Sequence, residues 1–291
     1  MLESSLEFFR CVRCGSKLEL DVLKIDKEIE EGILECDKCN LIFPIIKKIP
    51  ILWDDFSKYL SDRKVLSGIL YQSTTSEKLK KFVKHSLSKI NKFNVDRTAL
   101  EKRWSLIYQN SKGSKFYSTV KNNIKSIPVS DVVLEYGCSI GIMTSWLADS
   151  HHLVFGIDRS FDAISYAKKS YHNNLDYAVA DSLSPVFGKS HFDLIIALNV
   201  LDLIEPTKFL KQISEQISSG HLVIADPYDF DRGINSVSIP FDEKMLRTNL
   251  QHLGFKILPK TRKPSFINWN LKLNPRTTLN YKVDLVIGKK Q

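Results

Sequence analysis

The sequence has no apolar run of membrane-spanning length, which excludes an integral helical span. Its opening stretch, MLESSLEFFR, lacks the basic flank and long apolar core of a secretory signal. A cytoplasmic protein with no membrane partner is therefore expected. Cysteine is scarce: there are five in 291 residues, four of them confined to two short pairs. That usage argues against a disulfide framework and for metal binding in a reducing compartment. No cysteine lies beyond Cys138.

Hydrophobic residues make up 43% of the chain, enough to fill a core, and the length suits one large domain plus a small one. The net charge of +9 is unevenly spread. Residues 1–60 hold 9 Lys and Arg against 12 Asp and Glu, residues 61–130 hold 15 against 4, and residues 131–291 hold 18 against 17. The central segment thus carries the surplus. A solvated helical face is one reading of such lysine-rich sequence; a docking surface for an acidic partner, RNA first, is the other.

The most informative stretch is Asp131 to Asp149, DVVLEYGCSIGIMTSWLAD. Val132, Val133 and Leu134 suit a buried parallel strand. Glu135 follows, then the turn Gly137-Cys138-Ser139-Ile140-Gly141, then a helical pattern through Met143, Trp146 and Leu147. A strand, a glycine turn and a helix bring backbone N–H groups close to a ligand. Asp158 ends the next apolar run, 21 residues after Gly137, where an acid accepts from ribose hydroxyls in a doubly wound sheet. The turn is not the G-x-G-x-x-G of dinucleotide enzymes. The run VLEYGCSIGIMTSWLA followed by FGIDRS resembles the first two motifs of class I S-adenosylmethionine (SAM) methyltransferases. Ser139 stands where that family usually has its middle glycine, so weakened but retained cofactor binding is expected.

The resemblance implies a doubly wound, seven-stranded Rossmann-like sheet over residues 129–291. It also implies a cofactor site of Glu135, Gly137, Cys138, Ser139, Gly141, Asp158, Arg159, Asp181, Ser182 and Asn199. Asp181 and Ser182 follow the predicted third strand, Leu175–Ala180, where the family places an adenine-binding acid; a capping aspartate is the simpler alternative. Asn199 and Asp202 leave the fourth strand, and Asp226-Pro-Tyr-Asp-Phe-Asp-Arg232 leaves the fifth. Ligands sit beyond the carboxyl ends of such strands. Asp202, Tyr228 and Asp229 are therefore the candidates for acceptor binding and general base catalysis, without a ranking among them.

Two alternatives lose ground. The fourth-strand exit reads ALNVLD, not the Asn/Asp-Pro-Pro-Tyr/Phe run of enzymes that methylate amide or adenine nitrogens. No cysteine is placed for attack on a pyrimidine carbon.

Cys11-x-x-Cys14 and Cys36-x-x-Cys39 are separated by 21 residues, a spacing that can close a tetrahedral thiolate cage on structural zinc. With Phe43-Pro44-Ile45 and Ile49-Pro50-Ile51-Leu52 they resemble the small zinc-ribbon activators of tRNA and release-factor methyltransferases. The resemblance implies a ribbon over residues 1–56 that docks in cis. Residues 57–128 then read as a basic helical linker. It opens with a capping box at Thr74-x-x-Glu77 and carries Tyr108 and Tyr117 as pocket candidates. Lys260–Thr278, with Phe266, Trp269, Asn270 and Arg276, reads as a long insertion folded over the acceptor. Three functions stay open: methylation of a small molecule or side chain, methylation of RNA, and a non-catalytic activator with a degenerate cofactor turn.

Overall fold

The computed structural model describes residues 1–189, 191–233 and 236–291. Four short strands come first: β1 (Glu19–Ile25), β2 (Ile29–Cys36), β3 (Leu41–Ile46) and β4 (Ile49–Leu52). Five helices follow: α1 (Phe56–Ser61), α2 (Lys64–Ser73), α3 (Glu77–Ser88), α4 (Thr98–Asn110) and α5 (Lys115–Ile124). The remainder alternates. It contains β5 (Val132–Tyr136), α6 (Ile142–Ala148), β6 (Leu153–Asp158), α7 (Phe161–Ala167), β7 (Leu175–Ala180) and β8 (Leu194–Leu198). These lead to α8 (Pro206–Gln216), β9 (His221–Asp226), α9 (Glu243–His252), β10 (Phe255–Ile257), β11 (Ile267–Asn274) and β12 (Thr277–Lys290).

Among the described residues these strands form one twelve-stranded sheet in the order β1-β2-β3-β4-β7-β6-β5-β8-β9-β12-β10, with β11 on β12. The seven strands expected over residues 129–291 lie along this path from β7 to β10; β11 and the N-terminal β1 to β4 are additional. The α/β class stands, and the order reverses direction between β5 and β8, the crevice where open sheets bind ligands. The parallel strands β5 to β8 are buried almost throughout, which is why they read as unbroken apolar runs.

Extra strands arise at both edges. β4 adds in parallel to β7, Ile51 opposite Val179 and Leu52 opposite Ala180, so the N-terminal strands continue the central sheet. A buried ionic cluster holds that junction. Lys168 Nζ donates to Glu28 Oε1 at 2.7 Å and to Asp176 Oδ1 at 2.8 Å, and Leu2 N donates to the other Asp176 oxygen at 2.8 Å. At the far side, the expected insertion is instead strand: Ile267–Asn274 pairs antiparallel with the outer half of β12. Alternation within β11 buries Trp269 and Leu271 and leaves Asn268, Asn270 and Lys272 outside.

The helices of residues 57–128 use the expected apolar faces: Leu79, Val83, Phe116, Val120 and Ile124 are buried in the same core as β5 to β9. The start of α3 differs from expectation. Thr74 bonds back to Leu70 O and Glu77 does not cap. Glu31 of β2 caps instead, its carboxylate accepting from the backbone N–H and the hydroxyl of both Thr75 and Ser76 at 2.5–2.8 Å. The cap is supplied from far along the chain, which local spacing cannot show.

Candidate active site

Glu135 is the fourth residue of β5 and is buried; the Thr144 hydroxyl of α6 donates to its Oε2. Burial pushes this carboxyl up to about 8. The following turn takes left-handed backbone at Gly137 (φ 63°), Ser139 (φ 49°) and Gly141 (φ 74°). The two glycines are required by protein atoms. A Cβ at Gly137 would lie 2.6 Å from Val200 Cγ2, and one at Gly141 would run into the Tyr177 hydroxyl and Ala167. Ser139 tolerates its conformation because its N–H is held at 3.0 Å by Asp158 Oδ2. Cys138 is buried, with its N–H on Ile157 O, and acts as packing.

Asp158 closes β6 half-buried, its second oxygen accepting from Ser160 N at 2.8 Å. Arg159 is exposed; its carbonyl accepts from the Tyr59 hydroxyl at 3.2 Å. Asp181 accepts from Leu183 N at 2.9 Å in a turn that no helix directly follows, and the Ser182 carbonyl accepts from Gln212 Nε2 at 2.8 Å. Asn199 leaves β8 with φ 57°, buried, its side-chain Oδ1 without a partner among the described residues. A buried unpartnered oxygen costs free energy unless a ligand completes it.

Asp202 is fully buried. Its Oδ2 accepts from Arg232 Nη1 at 2.9 Å and its Oδ1 has no partner among the described residues. Burial, opposed by Arg232 and reinforced by Asp229, pushes it up to about 7. Tyr228, also left-handed (φ 55°), donates its hydroxyl to Asp284 Oδ2 at 3.0 Å. Burial and that carboxylate raise it well above its ordinary value. It therefore anchors the loop after β9, and is poorly suited as a base. Asp229 stays half-exposed on the same loop. Asp226, fully buried, accepts from Leu201 N and Tyr228 N, both at 2.9 Å, and so ties the β8 exit to the β9 exit.

An aromatic wall stands over these carboxylates. Tyr108 of α4 stacks on Trp269 with centroids 6.2 Å apart, and Trp269 also meets Phe116 at 5.6 Å and Tyr281 at 5.5 Å. The Arg232 guanidinium lies 5.7 Å from the Tyr281 ring centre. Tyr117 packs edge-on against Phe116. Of the four residues singled out in the 260–278 stretch, only Trp269 belongs here. Phe266, Asn270 and Arg276 point to solvent. Sequence reasoning missed Thr144, Tyr281 and the Asp284–Arg247 pair, which are brought in by sheet register and not by any local motif.

At the other end, Cys11, Cys14, Cys36 and Cys39 place their sulfurs within 4.8 Å of one another, with Cys14 and Cys36 at 3.5 Å. A tetrahedral zinc thiolate site needs sulfurs about 3.8 Å apart, given a Zn–S bond of about 2.3 Å. Both knuckles turn through left-handed residues, Gly15 (φ 70°) and Asn40 (φ 53°). The donor set therefore fits zinc.

Residues 134–225 match the family model described as a methyltransferase domain. That match spans about a third of the chain and supports a methyltransferase domain there. No curated protein matches the sequence. Among solved structures, the chain is similar to one from the complex between the Haloferax volcanii Trm112 methyltransferase activator and a methyltransferase. That match has 16% identity and a TM-score of 0.52, covering 66% of this chain and 95% of that one, and it shows a shared fold. Magnesium protoporphyrin IX methyltransferase from Synechocystis PCC 6803 with bound SAM aligns at 18% identity over 65% of this chain and 90% of its own, with a TM-score of 0.49. A TehB-like SAM-dependent methyltransferase from Corynebacterium glutamicum aligns at 19% identity over 66% and 99%, with a TM-score of 0.49.

Proposed function

We propose that the protein methylates a small molecule or an exposed side chain, seated between Asp202, Asp229 and the wall of Tyr108 and Tyr281. The bound cofactor supplies a sulfonium methyl for in-line displacement. Glu135 and the 137–141 turn face its amino-acid end, Asp158 its sugar, Asp181 and Ser182 its base. The chain's main contribution is alignment of donor and acceptor. The observation that carries the reading is Asp202: a fully buried carboxylate with one oxygen on Arg232 and the other free to accept a proton from the nucleophile.

The four cysteines hold a structural zinc, and the N-terminal strands serve as an activator-like ribbon docked in cis. The β4–β7 pairing and the Lys168 cluster support this. For the acidic partner of residues 61–130, exposed Lys81, Lys84, Lys102 and Arg103 supply the charge.

Calorimetry with SAM tests the enzyme reading against a non-catalytic activator. Saturable binding that Asp158→Ala abolishes is expected, and absence of binding at millimolar cofactor overturns it. Methyl release onto a metabolite panel, dependent on Asp202, then separates small acceptors from RNA.

A further inference from the structure

Residues 89–103 and the first turns of α2 form a surface unlike the rest of the molecule. Val95 is 88% exposed, Val65 58%, Leu100 55% and Ile69 44%. Val65 and Ile69 lie one turn apart on α2 and so share a face. Single exposed aliphatics are ordinary, but a group of four on adjoining segments is not.

The segment is pinned in this position. Asn94 N donates to Ser61 O at 3.0 Å, Arg97 N to Asp62 O at 2.8 Å, Val65 N to Asp96 Oδ2 at 3.1 Å and Leu66 N to Thr98 Oγ1 at 3.3 Å. Val95 is therefore held outward between two anchored residues. A loop that only linked helices would gain by turning this side chain in.

The charges around it are sorted by sign. All three acids in the neighbourhood have internal partners. Asp62 accepts from Asn94, Asp96 caps Thr98 and Val65, and Glu101 holds the buried Arg63 at 2.7 Å. Lys64, Lys89, Lys92, Arg97, Lys102 and Arg103 are exposed, and among the described residues none of them has an acidic partner. Aliphatic side chains ringed by unpaired cations suit a surface that is anionic outside and apolar beneath.

We infer that this face docks on an anionic phospholipid bilayer, with Val65, Ile69, Val95 and Leu100 entering the headgroup boundary and the basic rim meeting lipid phosphates. Among the described residues no helix is long and apolar enough to cross a membrane, so the association inferred, in place of the absence of a membrane partner expected from the sequence, is peripheral. Nucleic acid would use the same cations but has no use for the exposed aliphatics. The inference does not rest on the acceptor proposed above.

The test is cosedimentation of the full chain with vesicles of phosphatidylcholine alone and of phosphatidylcholine mixed with phosphatidylglycerol. Binding to the mixed vesicles only, weakened by salt, is expected. The Val65→Ser/Ile69→Ser/Val95→Ser variant is expected to lose about tenfold or more in partitioning, and Lys92→Glu/Lys102→Glu about as much. Unchanged unfolding midpoints show that both variants fold, and Val95→Ser alone, at a site without packing, gives a smaller loss in the same direction. No binding to mixed vesicles overturns the inference. So does binding that the charge reversals abolish and the serine variants leave intact, particularly if single-stranded RNA competes for it.

Discussion

Arg232 Nη1 lies 2.9 Å from one oxygen of Asp202, while the other oxygen of that fully buried carboxylate has no partner among the described residues. The pair spans two loops, from the exits of β8 and β9, and sets the ionisation of the candidate acceptor site. With Asp202 pushed up to about 7, the folded state binds its proton more tightly than the unfolded chain does. Its contribution to stability is therefore complete below about pH 3.8 and is lost as pH rises through about 7. Asp202→Asn should flatten that part of the profile, giving a variant about 1–3 kcal/mol more stable than the parent at pH 8, relative to pH 4. Arg232→Gln removes the opposing cation and should carry the loss to higher pH. Urea unfolding across this range reads both.

Gly137 and Ser139 share left-handed backbone but should respond oppositely. Gly137→Ala sets a Cβ 2.6 Å from Val200 Cγ2 and should cost about 1–3 kcal/mol and abolish SAM binding. Ser139→Gly relieves a conformation that costs an L-residue about 1–2 kcal/mol while loosening the unfolded chain by a similar amount. Stability should change by less than about 1 kcal/mol, with SAM bound at least as tightly. Calorimetry and thermal unfolding distinguish these outcomes.

Glu31 should behave as a charged cap supplied at long range. Burial works to raise its carboxyl, but the bonds from Ser76 and Thr75 win and hold it below its ordinary value. Its contribution is present above about pH 4.5 and is lost as pH falls through its folded value. Glu31→Ala should cost about 1–3 kcal/mol at pH 7 and speed hydrogen exchange at the first turn of α3. The difference should shrink in acid.

Metal removal should act first on β1 to β3. One zinc per chain is expected by elemental analysis, lost in Cys36→Ser. A strong chelator should increase hydrogen exchange at both knuckles and along β2–β3 before it affects β5 to β8, since binding free energy at such sites is folding free energy. Even exchange across the whole sheet would contradict this order.

Much of the central architecture was legible because it rests on local repetition. Val132 to Leu134 and Leu194 to Leu198 are apolar throughout, and Leu175 to Ala180 is apolar but for Asp176, as suits buried strands. The 137–141 turn and the paired cysteines were readable as fixed spacings of residues with few other uses. Helix faces such as Leu79 and Val83 followed from period alone. Trp269 and Tyr228 show where such reading stops. Each looked like a site residue by type and position, yet Trp269 is buried behind Tyr108 and Tyr281 as backing for the aromatic wall, and the Tyr228 hydroxyl is committed to Asp284.

The sequence alone determined the central strands and most helices, the candidate ligands and the kind of chemistry expected, because periodicity and short motifs act over a few residues. Only the tertiary structure decided that β4 lengthens the central sheet, that Glu31 caps a helix 46 residues on, and that Asp202 meets Arg232. Those outcomes depend on which groups are left unsatisfied when distant segments are buried together. A buried carboxylate takes whatever donor the sheet register brings within reach, and no local pattern records that donor in advance.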